Sequence, residues 1–237
     1  MGLLKSLFAT ADEPPKVDIR ETLFGDMHLD QWTGNGSTSQ AFPWSTFAAA
    51  RNHIGHSNKE AAVSKWHEIV GHAGLEPRHY LQAWFYLRLA GHQPPPAIAR
   101  QVLGVVVEVG MDKGLDLLAA YPDYSARYYN FSGSGVVWEH PTDEMNSTID
   151  KLLNAATRAV AHIGPWQAKR PPAPPNGQVR LNFLTPSGLH FGQAGMDVMA
   201  KDQIGGEAFY WASVLMRALI AFSNRPPAST RSASLHQ

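Results

Sequence analysis

Four residues in the first half of the chain have side chains that could hold a metal ion. The stretch His67-Glu68-Ile69-Val70-Gly71-His72 differs from the H-E-x-x-H pattern of zinc-binding helices by one extra residue. On a helix of about 3.6 residues per turn, this spacing puts His67 and His72 about 140° apart. Glu68 and His72 have the correct spacing, and His79 from the next helix could approach them. A carboxylate with two or three imidazoles can bind zinc or iron. The alternative is that these are ordinary surface or core residues of helices.

A predicted hairpin near residue 186 provides a second group of polar side chains. If residues 186–188 form a three-residue loop, Phe183 pairs with Phe191 and the apolar side chains gather on one face. That face would carry Val179, Leu181, Phe183, Leu189 and Phe191. A two- or four-residue loop would instead put Phe183 beside His190 and mix the two faces.

The opposite face of this hairpin would then carry Arg180, Asn182 and His190. Side chains two apart on one strand, and across from each other on the next, project to the same side and could bind an anion or a carboxylate. Arg127 and Tyr129 share one face of an earlier strand and would join them if that face is the same one. The alternative is a solvated sheet face or an interface with another subunit.

Other catalytic patterns are missing from the sequence. No Gly-x-Ser-x-Gly elbow is present, and no glycine-rich stretch has the lysine of a phosphate loop. The chain has no cysteine, which excludes disulfides, thiolate zinc sites and cysteine nucleophiles and makes the cytoplasm the expected location. The proline-rich residues 169–177 predict a stiff connector, with a docking motif as the alternative.

Hydrophobic periodicity predicts the elements that position these residues. Helical spacing is seen over residues 43–53, 57–73 and 77–89, with Ser57 and Glu60 spaced as a capping box and a last turn near Ile98. From residue 102 the period changes to two, and tight turns join four short strands. A helix to residue 163, a hairpin and a closing helix over 207–223 follow. The prediction is an α+β fold in which a helical part, residues 42–101, precedes an antiparallel sheet of about six strands. The sheet part, residues 102–224, has the order ββββ-α-ββ-α with its long helices on one side.

Composition and the two ends of the chain limit the function further. The 237 residues include 20 Lys and Arg against 20 Asp and Glu, a balance that argues against a nucleic-acid coat protein. Residues 1–41 are expected to be mostly irregular, with a short amphipathic helix in 1–8 that docks on the rest of the protein or on a partner. The alternatives are contact with a membrane surface and a myristoyl group on Gly2. No stretch is long and apolar enough to span a membrane, and residues 225–237 are expected to be disordered.

Two functions are compatible with these observations. With charged residues at 17% and seven tryptophans, the chain is expected to be a non-enzymatic cytoplasmic module for protein interaction or self-association, without a cofactor. The alternative is an enzyme or small-molecule binder that uses the histidine group, with zinc or iron, or the polar hairpin face, with an anion.

Overall fold

The computed structural model describes residues 19–29, 41–139 and 142–224, apart from the side chain of Glu144. The predicted amphipathic helix in residues 1–8 and the predicted disordered tail lie outside these ranges. Within them, the α+β fold with a six-stranded antiparallel sheet is confirmed. No helix in the described ranges is long and apolar enough to cross a bilayer.

Four helices form the helical part: α1 (Trp44–Gly55), α2 (Lys59–Gly71), α3 (Pro77–Leu89) and the single turn α4 (Pro96–Ala99). A 3-10 turn over Ile19–Thr22 precedes them. Helix α2 begins one residue later than the capping-box spacing predicts, because the side chain of Asn58 accepts the hydrogen bond from the Ala61 amide at 3.1 Å. Aromatic and aliphatic side chains of α1, α2 and α3 form a core of their own around Phe47, Trp66 and Tyr86.

The sheet contains β1 (Gly104–Met111), β2 (Gly114–Ala120), β3 (Ala126–Tyr129), β4 (Gly135–Trp138), β5 (Gln178–Thr185) and β6 (Gly188–Gly195). Their spatial order is β4-β3-β2-β1-β5-β6, so β1 and β5 lie at the centre. Helices α5 (Asp143–His162) and α7 (Gly206–Ser223) pack together on one face, and the short α6 (Met196–Met199) follows β6. We call this the helix face; its core includes Val105, Leu181 and Phe183.

The opposite face of the sheet is also covered. Leu23 and Phe24, which precede the helices, pack with Leu81 of α3 against Val106 and other side chains of this face. We call it the clasp face, and the clasp is residues 19–26 together with the connector over residues 164–177. Because this core mixes residues from both parts of the chain, the helical part and the sheet bury apolar surface against each other.

The predicted three-residue hairpin loop is wrong. Thr185 pairs with Gly188, so the loop contains two residues, and Phe183 pairs with His190. His190 therefore lies on the helix face, whereas Phe191 lies on the clasp face with Arg180 and Asn182. The prediction assumed that one face of the hairpin is apolar and the other polar. Both faces of this sheet are buried, so apolar side chains occur on both, and their pattern does not identify the register.

Candidate functional site

The structure does not bring the four predicted metal-binding residues together. His67 meets His92 at 5.5 Å between ring centroids, and Glu68 pairs with Lys65 at 2.8 Å. His72 follows α2 and lies against Phe42 at 4.5 Å. Among the described residues, no group of three or more His, Cys, Asp or Glu side chains is placed to hold a metal ion.

His79 is buried instead among the aromatic side chains of the helical core. Its ring meets Trp44 edge-on at 4.9 Å, and its Nδ1 has no hydrogen-bond partner among the described residues. Burial lowers the pKa of His79; the charge of Glu76 opposes this effect and that of Arg78 adds to it.

Arg180 and Asn182 lie on the clasp face, where both are almost fully buried. They share a carboxylate that the sequence analysis did not select: Glu108 of β1, which is directly opposite Arg180 and has no exposed surface. Arg180 Nη1 donates to Glu108 Oε2 at 3.2 Å, and Asn182 Nδ2 donates to the same oxygen at 3.0 Å. Arg180 and Asn182 therefore contact a buried carboxylate rather than solvent, and His190 is separated from them on the helix face.

Arg127 and Tyr129 also lie on the clasp face, but at a distance from this pair. Arg127 shares a row across the sheet with Asn182, and strands β2 and β1 separate them. Strand spacing puts the two backbones about 14 Å apart. Arg127 instead pairs with Glu139 at 3.2 Å, and Tyr129 packs in the apolar core of the clasp face.

The clasp supplies the second cation for Glu108. Arg20 Nε donates to Glu108 Oε1 at 2.5 Å, and its Nη2 donates to the carbonyl of Pro171 at 2.9 Å. Arg180 reaches the same connector through the carbonyl of Pro172 at 2.7 Å. One buried carboxylate thus joins the clasp, β1 and β5.

Arg170 closes the clasp from the connector side. It pairs with Asp26 at 2.8 Å and with Glu21 at 2.5 Å, and its guanidinium lies 4.0 Å from the centre of the Phe24 ring. Burial lowers the pKa of Arg170, but its hydrogen bonds to Asp26 and Glu21 and their charges raise it above the ordinary value. The cation therefore keeps its charge inside the fold.

A cleft of about 1040 Å³ lies beside the clasp. Its walls come from residues 20–28, the second half of α3 with the following turn, residues 165–172, and the tip of the β5–β6 hairpin. The charged side chains on these walls are Arg20, Arg88, Lys169 and Arg170 against Glu21 and Asp26. These walls carry four cationic and two anionic side chains, so the net charge of the lining is positive.

Arg88 is the arginine of this cleft that forms no ion pair with a described residue. Its Nη1 donates to the carbonyl of Pro186 at 2.5 Å, and it makes no ion pair with any residue in the described ranges. Its Nε and Nη2 lie next to Gly188 and donate to no group that the structure describes. Burial lowers the pKa of Arg88 to about 10, against the more distant charge of Asp26. Arg88 remains cationic at neutral pH and has two donors to offer.

The hairpin tip also holds a serine and a histidine in contact. Ser187 Oγ lies 3.3 Å from His190 Nε2, and His190 Nδ1 lies 3.1 Å from the carbonyl of Ile163. A carbonyl can only accept, so the proton of a neutral imidazole is on Nδ1 and Nε2 is left as an acceptor. Burial lowers the pKa of His190; the bond to Ile163 opposes this, and the charge of Arg100 adds to it.

Comparison of the chain with protein-family models, with curated proteins and with solved structures finds no match. The site must therefore be interpreted from its geometry alone. Sequence reasoning selected Arg180, Asn182 and His190 but missed Glu108, Arg88 and Ser187. The one signal for Glu108 was a single carboxylate within an otherwise apolar strand.

Proposed function

We propose that the protein binds a small organic anion with an apolar body in the cleft beside the clasp, and that Arg88 receives its charged group. The observation that carries this proposal is the state of Arg88: a half-buried cation with one hydrogen bond to a neutral carbonyl and no carboxylate in an ion pair with it among the described residues. A partly desolvated cation without an ion pair costs stability, and an anionic ligand would reduce that cost.

The rest of the cleft supports an amphiphilic ligand. Phe24, Phe85 and Trp166 provide aromatic surface on its walls, next to Leu81 and Leu89. Trp166 keeps 46% of its surface exposed and Leu89 keeps 61%. Apolar walls with a few polar groups are typical of small-molecule sites, and the volume suits a ligand of drug size.

The test uses 1-anilinonaphthalene-8-sulfonate, a fluorescent sulfonate with an aromatic body. We expect its emission to rise on binding to the wild-type protein and expect decanoate to compete with it. Arg88→Met, which keeps the length of the side chain but removes the charge, is expected to weaken dye binding about tenfold or more, because hydrogen bonds between charged groups contribute about 1.5–3 kcal/mol.

The matched control is Arg158→Met. Arg158 lies on α5, pairs with Glu207 at 2.6 Å and is 58% exposed, so its removal should not change dye affinity. Equal affinity of wild type and Arg88→Met would contradict the proposal. Dye binding weakened equally by the two substitutions would do the same, because it would indicate attraction by net charge only.

A second candidate function is self-association through the outer side of α7. This helix has only two charged residues in its 18 positions, and Tyr210 and Phe222 on it are 57% and 39% exposed. A helix that is apolar on nearly all sides usually lies against protein on nearly all sides. Light scattering after gel filtration tests this candidate. We expect a dimer that Tyr210→Glu converts to a monomer; a wild-type monomer at 100 μM or more would exclude it.

A further inference from the structure

We infer that the cleft cuts carboxylic esters, with Ser187 as the nucleophile and His190 as its general base. This inference rests on the proposed anion site and names its chemistry, because the acid product of such a reaction is an organic carboxylate of the class that Arg88 would bind. The contact of Ser187 with His190 carries the argument, together with the position of Ser187 in the same cleft as Arg88.

The geometry assigns each side chain one role. Ser187 is partly exposed and lines the cleft, whereas His190 is fully buried behind it. The Nδ1 proton of His190 is held by the carbonyl of Ile163, so Nε2 faces the Ser187 hydroxyl as a base. A nucleophile in contact with a base that a third group orients is the arrangement expected for activation of a serine.

Thr185 provides a second contact to the serine oxygen. Its Oγ1 lies 2.9 Å from Ser187 Oγ and 3.0 Å from the carbonyl of Gly188. Because the threonine hydroxyl is held by this carbonyl and lies against the serine oxygen, it restricts the position of that oxygen beside His190. The negative charge of the tetrahedral intermediate develops on the ester carbonyl oxygen, so its donors must come from another group.

Arg88 is placed to receive the oxyanion. Its Nη1 holds the carbonyl of Pro186, the residue before Ser187, and its Nε would lie 3.7 Å from a Cβ on Gly188, the residue after it. The guanidinium therefore spans the backbone that carries the nucleophile. Donors beside a nucleophile stabilise the tetrahedral oxygen of acyl transfer.

The reaction balances with water as the only co-reactant. Ser187 Oγ attacks the ester carbonyl carbon and passes its proton to His190 Nε2; the bond from the carbonyl carbon to the alkoxy oxygen breaks, and the alcohol leaves with that proton. Water then attacks the acyl-serine, gives one proton to His190 and releases the carboxylic acid, and Ser187 regains the proton. No electrons are transferred to or from an outside group.

The experiment treats the full chain with a fluorophosphonate-rhodamine probe and measures hydrolysis of p-nitrophenyl butyrate. We expect one label per chain, located on the peptide that contains Ser187, and release of p-nitrophenolate. Ser187→Ala should lose the label and the hydrolysis while binding 1-anilinonaphthalene-8-sulfonate like wild type. His190→Gln should slow labelling about 100-fold or more, which is the ordinary contribution of a general base.

Ser132→Ala is the matched control, because Ser132 lies in an exposed turn and bonds only to Asn130, among the described residues. It should react like wild type. A wild-type protein that is not labelled, or is labelled elsewhere, overturns the inference without any variant. Retained hydrolysis in Ser187→Ala, or unchanged labelling in a folded His190→Gln, also overturns it. If any of these results is obtained but dye binding still depends on Arg88, the esterase inference fails and the proposed anion site is retained.

Discussion

Replacing Glu108 with glutamine should destabilise the protein more than any change of a surface carboxylate. Three donors converge on this side chain: Arg20 Nε at 2.5 Å, Asn182 Nδ2 at 3.0 Å and Arg180 Nη1 at 3.2 Å. Glutamine keeps the shape of the side chain but removes its charge. Its NH2 group would also face the N–H groups that now donate to Glu108. Removing one partner of a buried ion pair costs about 3–5 kcal/mol.

We expect the lower end of that range, about 3 kcal/mol, since both arginines keep other partners. Arg20 still bonds to the Pro171 carbonyl and Arg180 to the Gln193 side chain. The assay is urea unfolding followed by tryptophan fluorescence. With a slope of about 1–3 kcal/mol/M, the midpoint should fall by about 1 M or more.

Glu139→Gln is the matched control. Glu139 also pairs with an arginine, Arg127, but its side chain is 59% exposed, so the change should stay within about 0.5 kcal/mol. The double variant Glu108→Leu with Arg180→Leu should lose less stability than the sum of its two single variants, because it removes both charges together. A loss below about 1 kcal/mol in Glu108→Gln would refute the view that the buried carboxylate holds the clasp.

Two further predictions concern pH and the connector. Burial lowers the pKa of His79 in the folded state, so the unfolded chain binds more protons below about pH 6.5 and the free energy of unfolding should fall as pH drops through that value. In His79→Gln the free energy of unfolding should change less between pH 7.5 and 5.5 than it does in the wild type. An equal change in both proteins would exclude His79 as the source of the pH dependence. Gly110→Ala would put a Cβ into the carbonyls of Pro174 and Pro175, and we expect urea unfolding to show a loss of about 1–3 kcal/mol. Gly55→Ala, which meets nothing within 4 Å, is its control and should be neutral or stabilising.

The secondary structure could be predicted because its signals are local. Helical spacing, proline at helix starts and tight turns between short strands are all contained in windows of about ten residues. The order ββββ-α-ββ-α and the antiparallel sheet followed from connections too short for parallel neighbours. The spatial position of β5 beside β1 required long-range pairing, which no local pattern encodes.

The site was predicted only in part, for a physical reason. Arg180 and Asn182 were selected as polar residues on one strand face, but their environment depends on Glu108, 72 positions from Arg180 in the chain. Arg88 could not be selected from its own neighbourhood, because a lone arginine near the end of a helix is ordinary. The Ser187 and His190 contact exists only in the two-residue register, which the assumption of a polar outer face had excluded.

The same contacts that bury charge on the clasp face also build the cleft. Arg20 and Arg180 hold the carbonyls of Pro171 and Pro172, and Arg170 holds the acidic side chains of residues 21 and 26. These segments form two of the four walls of the cleft. Apolar residues in place of the ion pairs could stabilise the sheet equally well. They could not donate hydrogen bonds to the carbonyls of the proline-rich connector, which hold that segment in place. Glu108→Gln should therefore weaken dye binding as well as stability, although Glu108 itself does not line the cleft.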